Sequence, residues 1–424
     1  MRIARLEMQR VGVFEDETIE FRPKTDPDKA EIHILTGVNG SGKSTILYTL
    51  AAAFLESEFI KRRFHDKNAS QANLECQNSV ESPVIAKFGL KDGAFVYKEA
   101  SPSLAEYRLL VKNRNNPGYQ DHKLDFAVFA YSGVRSLSSF ALSSIQELTV
   151  SPLEGSLDFY KSVDPQVLLQ WIANTKAKVA FARQDNDKQL AERYENSVRR
   201  IEETICDIVG YPVEFVFSYE PLAVRIKVRS QELEFDVLPD GLKSIISWIA
   251  DLLMRLDRLR WVDNTPVLDR SFILFLDEIE IHLHPAWQRR ILPVVQKLFK
   301  NAQIFIATHS PFVVASVSDA WIYKFVVKDG KSKLESVEES KAGTSYPAVL
   351  DEVFGIDEYF DVTTEEELDT FEKLKQKLLK GDRSVLEALE KTARQLSEKS
   401  VEVQDIVGRE LRQLQRITGE TIEL

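Results

Sequence analysis

The sequence predicts an α/β fold centred on a parallel sheet, and three stretches carry that reading. The run Ile32-His33-Ile34-Leu35 leads through a glycine-rich octet into Thr45-Ile46-Leu47-Tyr48-Thr49-Leu50-Ala51. Phe272-Ile273-Leu274-Phe275-Leu276 is continuously apolar and ends in Asp277-Glu278. Ile304-Phe305-Ile306-Ala307 is apolar in the same way and ends in Thr308-His309-Ser310-Pro311. Strands without alternation are buried on both faces, as in parallel sheets covered by helices.

The octet Gly37-Val38-Asn39-Gly40-Ser41-Gly42-Lys43-Ser44 is a complete G-x-x-x-x-G-K-S phosphate loop in the strand–loop–helix setting that the motif requires. Its glycines let backbone N–H groups turn inward around a triphosphate. Lys43 reaches the β- and γ-phosphates, and the Ser44 hydroxyl can ligand Mg²⁺. The following helix presents the positive end of its dipole. With Thr45, these residues form the candidate ATP-binding set.

Next in order, residues 83–98 read as a hairpin closed by Lys91-Asp92-Gly93. Tyr107-Arg108-Leu109-Leu110-Val111 reads as a further strand. Residues 164–209 switch to helical spacing, with Leu190, Tyr194, Val198, Ile201, Ile205 and Ile208 on one stripe. At about 1.5 Å per residue this is a short insertion, not a long tether. Strands follow at Val213–Phe217 and Ala223–Val228. Leu238-Pro239-Asp240-Gly241 then opens a well-packed helix through Leu253, and a helix start is a good anion site. Asp277 falls at the C-terminal edge of the sheet, where a Mg²⁺-supporting carboxylate is needed. Glu278 is placed to polarise the attacking water, and His309 to donate to a γ-phosphate oxygen. The catalytic candidates are therefore Glu278, Lys43 and His309, and the metal candidates Ser44 and Asp277.

After Phe360 the chain becomes charged and helical. Thr364 to Glu367 and Ser384 to Glu387 read as capping boxes. Leu368, Phe371, Leu374 and Leu378 form one stripe, Leu386, Leu389, Ala393 and Leu396 a second, and Val403, Ile406, Val407, Leu411, Leu414 and Ile417 a third. Such a tail either packs on its own core or docks a partner, with Leu368, Phe371 and Leu374 the first anchors to test.

The 424 residues suit one large or two modest domains, and 44% apolar content supports an ordinary core. No window approaches the ~18 apolar residues of a membrane span. The first residues lack the apolar core of a secretory signal. Only Cys76 and Cys206 are present, with no C-x-x-C pair, which predicts a reducing cytoplasm and argues against a zinc ribbon. His282 and His284 are a weak metal pair, because no cysteine lies near. The net charge of −11 disfavours coating by nucleic acid. Lys61-Arg62-Arg63 and Arg255, Arg258 and Arg260 remain as local basic surfaces that leave a DNA contact open.

The order of parts resembles ABC-type ATPases: phosphate loop, signature loop at Leu238-Pro239-Asp240-Gly241, Asp-Glu strand, switch histidine. Asp277-Glu278-Ile279-Glu280-Ile281-His282-Leu283-His284-Pro285, with Ala307-Thr308-His309-Ser310-Pro311, is similar to the non-transporter branch. That branch includes SMC proteins, RecF-like recombination ATPases, OLD nucleases and the PtuA-like subunits of Septu anti-phage systems. The opening Met1 to Phe21 looks like that branch's first hairpin, and Phe126 to Arg135 resembles a strand and arginine of PtuA-like proteins. The resemblance covers most of residues 1–355. It implies a RecA-like core of ABC type with an antiparallel lobe. The two halves of the ATPase domain would span 1–160 and 211–357, the helical insertion 161–210, and a partner-docking tail 358–424.

By that resemblance, Pro239, Asp240 and Gly241 complete the site of a second subunit. Pro239 stands where the family usually has a serine, removing a hydroxyl and an N–H, which predicts slow hydrolysis. OLD nucleases carry a further nuclease domain, for which this tail is too short and too helical. The resemblance thus implies a cytoplasmic, oligomeric, Mg²⁺-dependent ATPase that controls a separate HNH nuclease (PtuB-like) in anti-phage defence. A RecF-like repair ATPase and a nucleotide-gated scaffold with little hydrolysis are the alternatives.

Overall fold

The computed structural model describes residues 1–424 except 57, 66–68, 79–82, 117–121, 134–141, 143, 161–162, 357 and 420–424. The chain divides into two compact units, Met1–Val349 and Leu350–Leu424. In order, the first contains β1 (Arg2–Val11), β2 (Phe14–Glu20), β3 (Glu31–Gly37), α1 (Lys43–Ala52), the short α2 (Glu58–Lys61), β4 (Gln71–Gln77), β5 (Val84–Lys91), β6 (Ala94–Ala100), α3 (Pro102–Lys112) and β7 (Ala127–Tyr131). It continues with α4 (Pro165–Gln184), α5 (Lys188–Val209), β8 (Val213–Tyr219), β9 (Leu222–Val228), β10 (Gln231–Leu233), α6 (Asp240–Arg258), β11 (Phe272–Asp277) and α7 (Pro285–Leu298). It closes with β12 (Ala302–Ala307), α8 (Pro311–Val314), β13 (Ala320–Lys328), β14 (Lys331–Glu339) and α9 (Tyr346–Val349).

The central sheet has the order β14-β13-β3-β12-β11-β7, parallel except for β14 at its edge. Every residue of β7, β11 and β12 is buried, which is why these runs carry no alternation. The registers Asp277↔Ala307 and Ala307↔Leu35 bring the C-terminal ends of β3, β11 and β12 to one edge. Sequence-distant motifs therefore converge there.

A five-stranded antiparallel lobe, β2-β1-β4-β5-β6, lies in the same unit. The β5–β6 hairpin turns on Asp92 and Gly93, whose positive φ of 52° and 78° suit a type I′ turn. Its turn, strands and pairing are as the sequence predicts. Tyr107–Val111 is not a strand but part of α3. Pro102 opens that helix, and Leu104, Tyr107, Leu110 and Val111 share its buried face. A five-residue apolar window is too short to separate the two periods, and Tyr107, packed on Phe126 and accepting from the Val128 N–H, fixes the helical one. Val134 and Arg135 lie outside the described residues.

The helical insertion is α4 and α5, capped by Asp164 and Asp187. Val198, Ile201, Ile205 and Ile208 are buried as predicted, while Leu190 and Tyr194 are half-buried. Among the described residues no helix is long and apolar enough to cross a membrane.

Arg255 is not a surface base. It is buried in α6, paired with Asp251 at 2.6 Å, and it donates to the carbonyls of Pro152 and Glu154. A guanidinium there is matched to one carboxylate and two carbonyls rather than to solvent.

The second unit holds α10 (Val362–Leu379), α11 (Leu386–Ser397) and α12 (Val401–Thr418). Their stripes bury one another: Phe371, Leu378, Leu389, Leu396, Val407 and Leu414 share a core, with Leu368 and Leu374 packed against it. The proposed docking anchors Leu368, Phe371 and Leu374 are thus spent internally, since three amphipathic helices hide most apolar area by facing each other. Ile417 alone of the predicted stripe is strongly exposed, at 63%.

Neither predicted capping box forms as read. Asp361 caps α10 by accepting the Thr364 N–H, while Glu365 reaches back to the N–H groups of Tyr359 and Phe360. Asp382, not Ser384, accepts at the start of the 3₁₀ turn Arg383–Val385 that leads into α11, and α11 itself has no side-chain cap. Aspartate is an equal or better cap, and in each case it precedes the Ser or Thr.

Candidate functional site

The phosphate loop is built tightly from its own neighbours. Gly37 has φ 144°, and a Cβ there would lie 2.2 Å from the Phe325 carbonyl oxygen. Gly42 has φ 87°, and its Cβ would meet Phe14 at 2.5 Å. Only glycine fits either position. The loop is also tied to β14, since Ser332 donates to the Ser41 carbonyl at 2.6 Å and its own N–H to Val13 at 2.9 Å.

Lys43, the first residue of α1, donates to the carbonyls of Gly37 and Val38 at 2.9 and 3.0 Å. Burial lowers its pKa to about 8, against the pull of Asp277, Glu278 and Glu280. The Ser44 hydroxyl donates to Asp277 Oδ1 at 3.0 Å, joining two motifs 233 residues apart. Burial raises the Asp277 carboxyl to about 6; the Ser44 hydrogen bond opposes this, and Glu278 and Glu280 add to it. Glu278 takes a left-handed conformation, φ 53°, and donates its N–H to the Ala307 carbonyl. His309 follows β12, and burial and Lys43 lower its pKa.

An open cleft of about 870 Å³ gathers Asn39, Gly40, Gly42, Lys43, Ser44, Thr45, Asp277, Glu278 and His309. Gly37 and Ser41 form the loop beneath. Pro239, Asp240 and Gly241 do not line it. They begin α6, where a Cβ on Gly241 would come within 2.5 Å of the His282 carbonyl oxygen. His284 caps α7, its Nδ1 accepting the Ala286 N–H.

Sequence reasoning missed part of the wall. Arg62, Arg63, His65 and Tyr160 also line the cleft. Arg63 donates to Thr45 Oγ1 at 3.1 Å and lies over the Tyr48 ring at 5.1 Å. The basic run was visible, but only the fold returns it to the first turn of α1. Glu280 was missed too. Its Oε1 accepts the His309 backbone N–H at 2.7 Å.

A glycine loop between β3 and α1, faced by Asp277, Glu278 and His309 at the ends of β11 and β12, defines a P-loop ATPase fold of ABC type. The family model described as "AAA domain, putative AbiEii toxin, Type IV TA system" matches residues 32–315, and the chain belongs to that family. The chain is 30% identical over 184 residues to the retron Ec83 probable ATPase of Escherichia coli, covering 39% of this chain and 33% of that protein. It is 24% identical over 393 residues to the retron Vc95 probable ATPase of Vibrio cholerae serotype O1 biovar El Tor, covering 78% and 76%.

Septu protein PtuA of Bacillus thuringiensis is 26% identical over 168 residues, covering 37% of this chain and 42% of PtuA. The chain thus spans well under half the length of two of these three relatives. Among solved structures, the SMC head bound to the C-winged helix domain of ScpA aligns with TM-score 0.51 and 15% identity over 80% of this chain and 98% of that one. That likeness is one of fold. The chain thus pairs an SMC-head-like ATPase fold with sequence relatedness to PtuA and to the retron ATPases.

Proposed function

We propose that this chain binds and slowly hydrolyses Mg-ATP, self-associates, and controls a separate HNH-type nuclease in cytoplasmic anti-phage defence. The carrying observation is the 3.0 Å contact between Ser44 and Asp277. It brings a hydroxyl and a carboxylate, both of the oxygen-donor type that Mg²⁺ prefers, beside a lysine held by its own loop. Three carboxylates, Asp277, Glu278 and Glu280, act on that one lysine, an excess of negative charge that suits a divalent cation. When bound, Mg²⁺ would neutralise charge on the phosphate oxygens.

The residues then divide the work. Backbone N–H groups of Gly40 to Lys43 hold the phosphates, and Lys43 adds its charge to the terminal ones. Ser44 and Asp277 hold the ion, Glu278 orients water, and His309 donates to the terminal phosphate. Pro239, Asp240 and Gly241 stand outside the cleft of their own chain, which supports completion of the site by a second copy. The defence role and the nuclease partner rest on the likeness to PtuA and the retron ATPases.

A second reading, a nucleotide-gated scaffold with little turnover, is favoured by one feature. Pro239 caps α6 without any side-chain hydrogen bond, so that helix start offers no hydroxyl.

Equilibrium nucleotide binding separates the roles. Asp277→Ala should weaken Mg-ATP binding, whereas Glu278→Gln should keep binding and trap ATP. Equal loss of binding in both variants sinks the division of labour.

A further inference from the structure

Glu280 sits in the turn that leaves β11, two residues beyond Glu278. Its carboxylate points away from bulk water. Oε1 accepts the His309 N–H at 2.7 Å, while among the described residues Oε2 is buried without a hydrogen-bond partner, and the Thr308 side chain also favours the charged carboxylate. A buried carboxylate with an unsatisfied oxygen is costly, so its retention calls for a reason.

The backbone around His309 supplies one. The Thr308 N–H is taken by the Leu35 carbonyl at 3.2 Å, and the Ser310 N–H by the Thr308 hydroxyl at 3.0 Å. Between them, the His309 N–H is taken by Glu280. The turn that carries Glu280 is itself fixed: Glu278 donates to Ala307, Ile281 to Glu278, and Leu283 to the Glu280 carbonyl. Its far side, at the His282 carbonyl, is seated on Gly241 at the start of α6.

We propose that Glu280 is a positioning residue for His309: its carboxylate clamps the His309 backbone and so sets the imidazole at the terminal-phosphate end of the cleft. The clamp ties the strand that carries Asp277 and Glu278 to the histidine that reads the nucleotide, so the two sides of the cleft keep one spacing. No bond is made or broken by Glu280 itself. The proposal rests on the ATPase reading for the target of His309, but the clamp exists without nucleotide.

The test uses the full chain with Glu280→Ala, Glu280→Asp, Glu280→Gln, His309→Ala and the Glu280→Ala/His309→Ala double variant. Aspartate withdraws the acceptor by about 1.5 Å and keeps the charge, whereas glutamine keeps an acceptor oxygen in place. Hydrogen–deuterium exchange in the absence of nucleotide should rise on the order of tenfold at the His309 amide in the Ala and Asp variants and stay low in Gln. With Mg-ATP, the Ala and Asp variants should lose kcat toward the level of His309→Ala, with KM changed by less than about threefold, and Gln should recover most of it.

Because Glu280 acts through His309, the double variant should be no slower than His309→Ala. Unchanged exchange at His309 overturns the proposal, and so do losses that multiply in the double variant. If Glu280→Ala fails to fold, Glu280→Asp carries the same comparison. Should the wild-type chain turn over no ATP, the ATPase reading fails, while the exchange comparison still decides on the clamp.

Discussion

Replacing Asp251 with alanine should lower the melting temperature of the first unit by about 4–7 °C. Asp251 is fully buried, and its Oδ2 accepts from Arg255 Nε at 2.6 Å and from the Tyr131 hydroxyl at 2.7 Å. The substitution removes the one oxygen that accepts both hydrogen bonds and takes the Asp251 carboxylate from a buried guanidinium. Breaking one side of a buried pair costs roughly 3–5 kcal/mol. The unit has 349 residues. At ~2.1 cal/mol/K per residue its unfolding entropy is about 0.7 kcal/mol/K, which converts that cost into the stated shift. All five tryptophans fall within this unit, and Trp248 lies on α6 beside Tyr131, so tryptophan fluorescence during a thermal ramp reads it directly. Arg255→Met alone should also destabilise. The pair Asp251→Leu/Arg255→Met should cost less than the two single changes together, because no unpaired charge remains. Additivity within about 0.5 kcal/mol would refute the ion pair as the source of the loss.

Three further outcomes are expected. Pro239→Ser should raise ATP turnover by restoring a hydroxyl, and as a helix cap it should add about 1 kcal/mol of stability; an unchanged rate in steady-state kinetics counts against Pro239 as the limit. His33 is fully buried against Glu31 at 2.8 Å, and burial lowers its pKa below 6.5. The unfolded chain therefore takes up that proton first, so the stability is present above about pH 6.5 and is lost as pH falls below it; His33→Gln should flatten melting temperature against pH in that window, and an unaltered slope excludes His33 as its origin. Leu389→Ala, in the core of the second unit, should cost about 2–5 kcal/mol and speed amide exchange across α10, α11 and α12 in the full chain; protected helices would show that the tail core is not what holds them.

Most of the candidate cleft was legible because its residues lie in short motifs with fixed local geometry. Gly37 to Ser44 needs only a strand before it and a helix after it. Asp277, Glu278 and His309 each end an apolar run, and the ends of neighbouring parallel strands share one edge. Arg63 and Glu280 were not legible in that way. Arg63 acts through a loop that returns to Thr45, and Glu280 through a hydrogen bond to a backbone N–H 29 residues away, which no spacing rule encodes.

Elsewhere the same division holds. Tyr107 to Val111 reads as strand or helix until Phe126 and Val128 decide which face it buries. Arg255 reads as a surface base until Asp251, Pro152 and Glu154 enclose it. The three tail stripes declare helices, but whether each faces solvent, a partner or its siblings depends on which surface hides more apolar area. By itself the sequence determined the parallel core, the phosphate loop and the residues at its mouth, because local backbone geometry and burial on both faces leave their mark on consecutive residues. Only the tertiary structure decided which charges are buried in pairs, which stripes are already satisfied, and which side chains reach the cleft from far along the chain. Those depend on contacts between residues distant in the chain, and a long-range contact has no periodic signature.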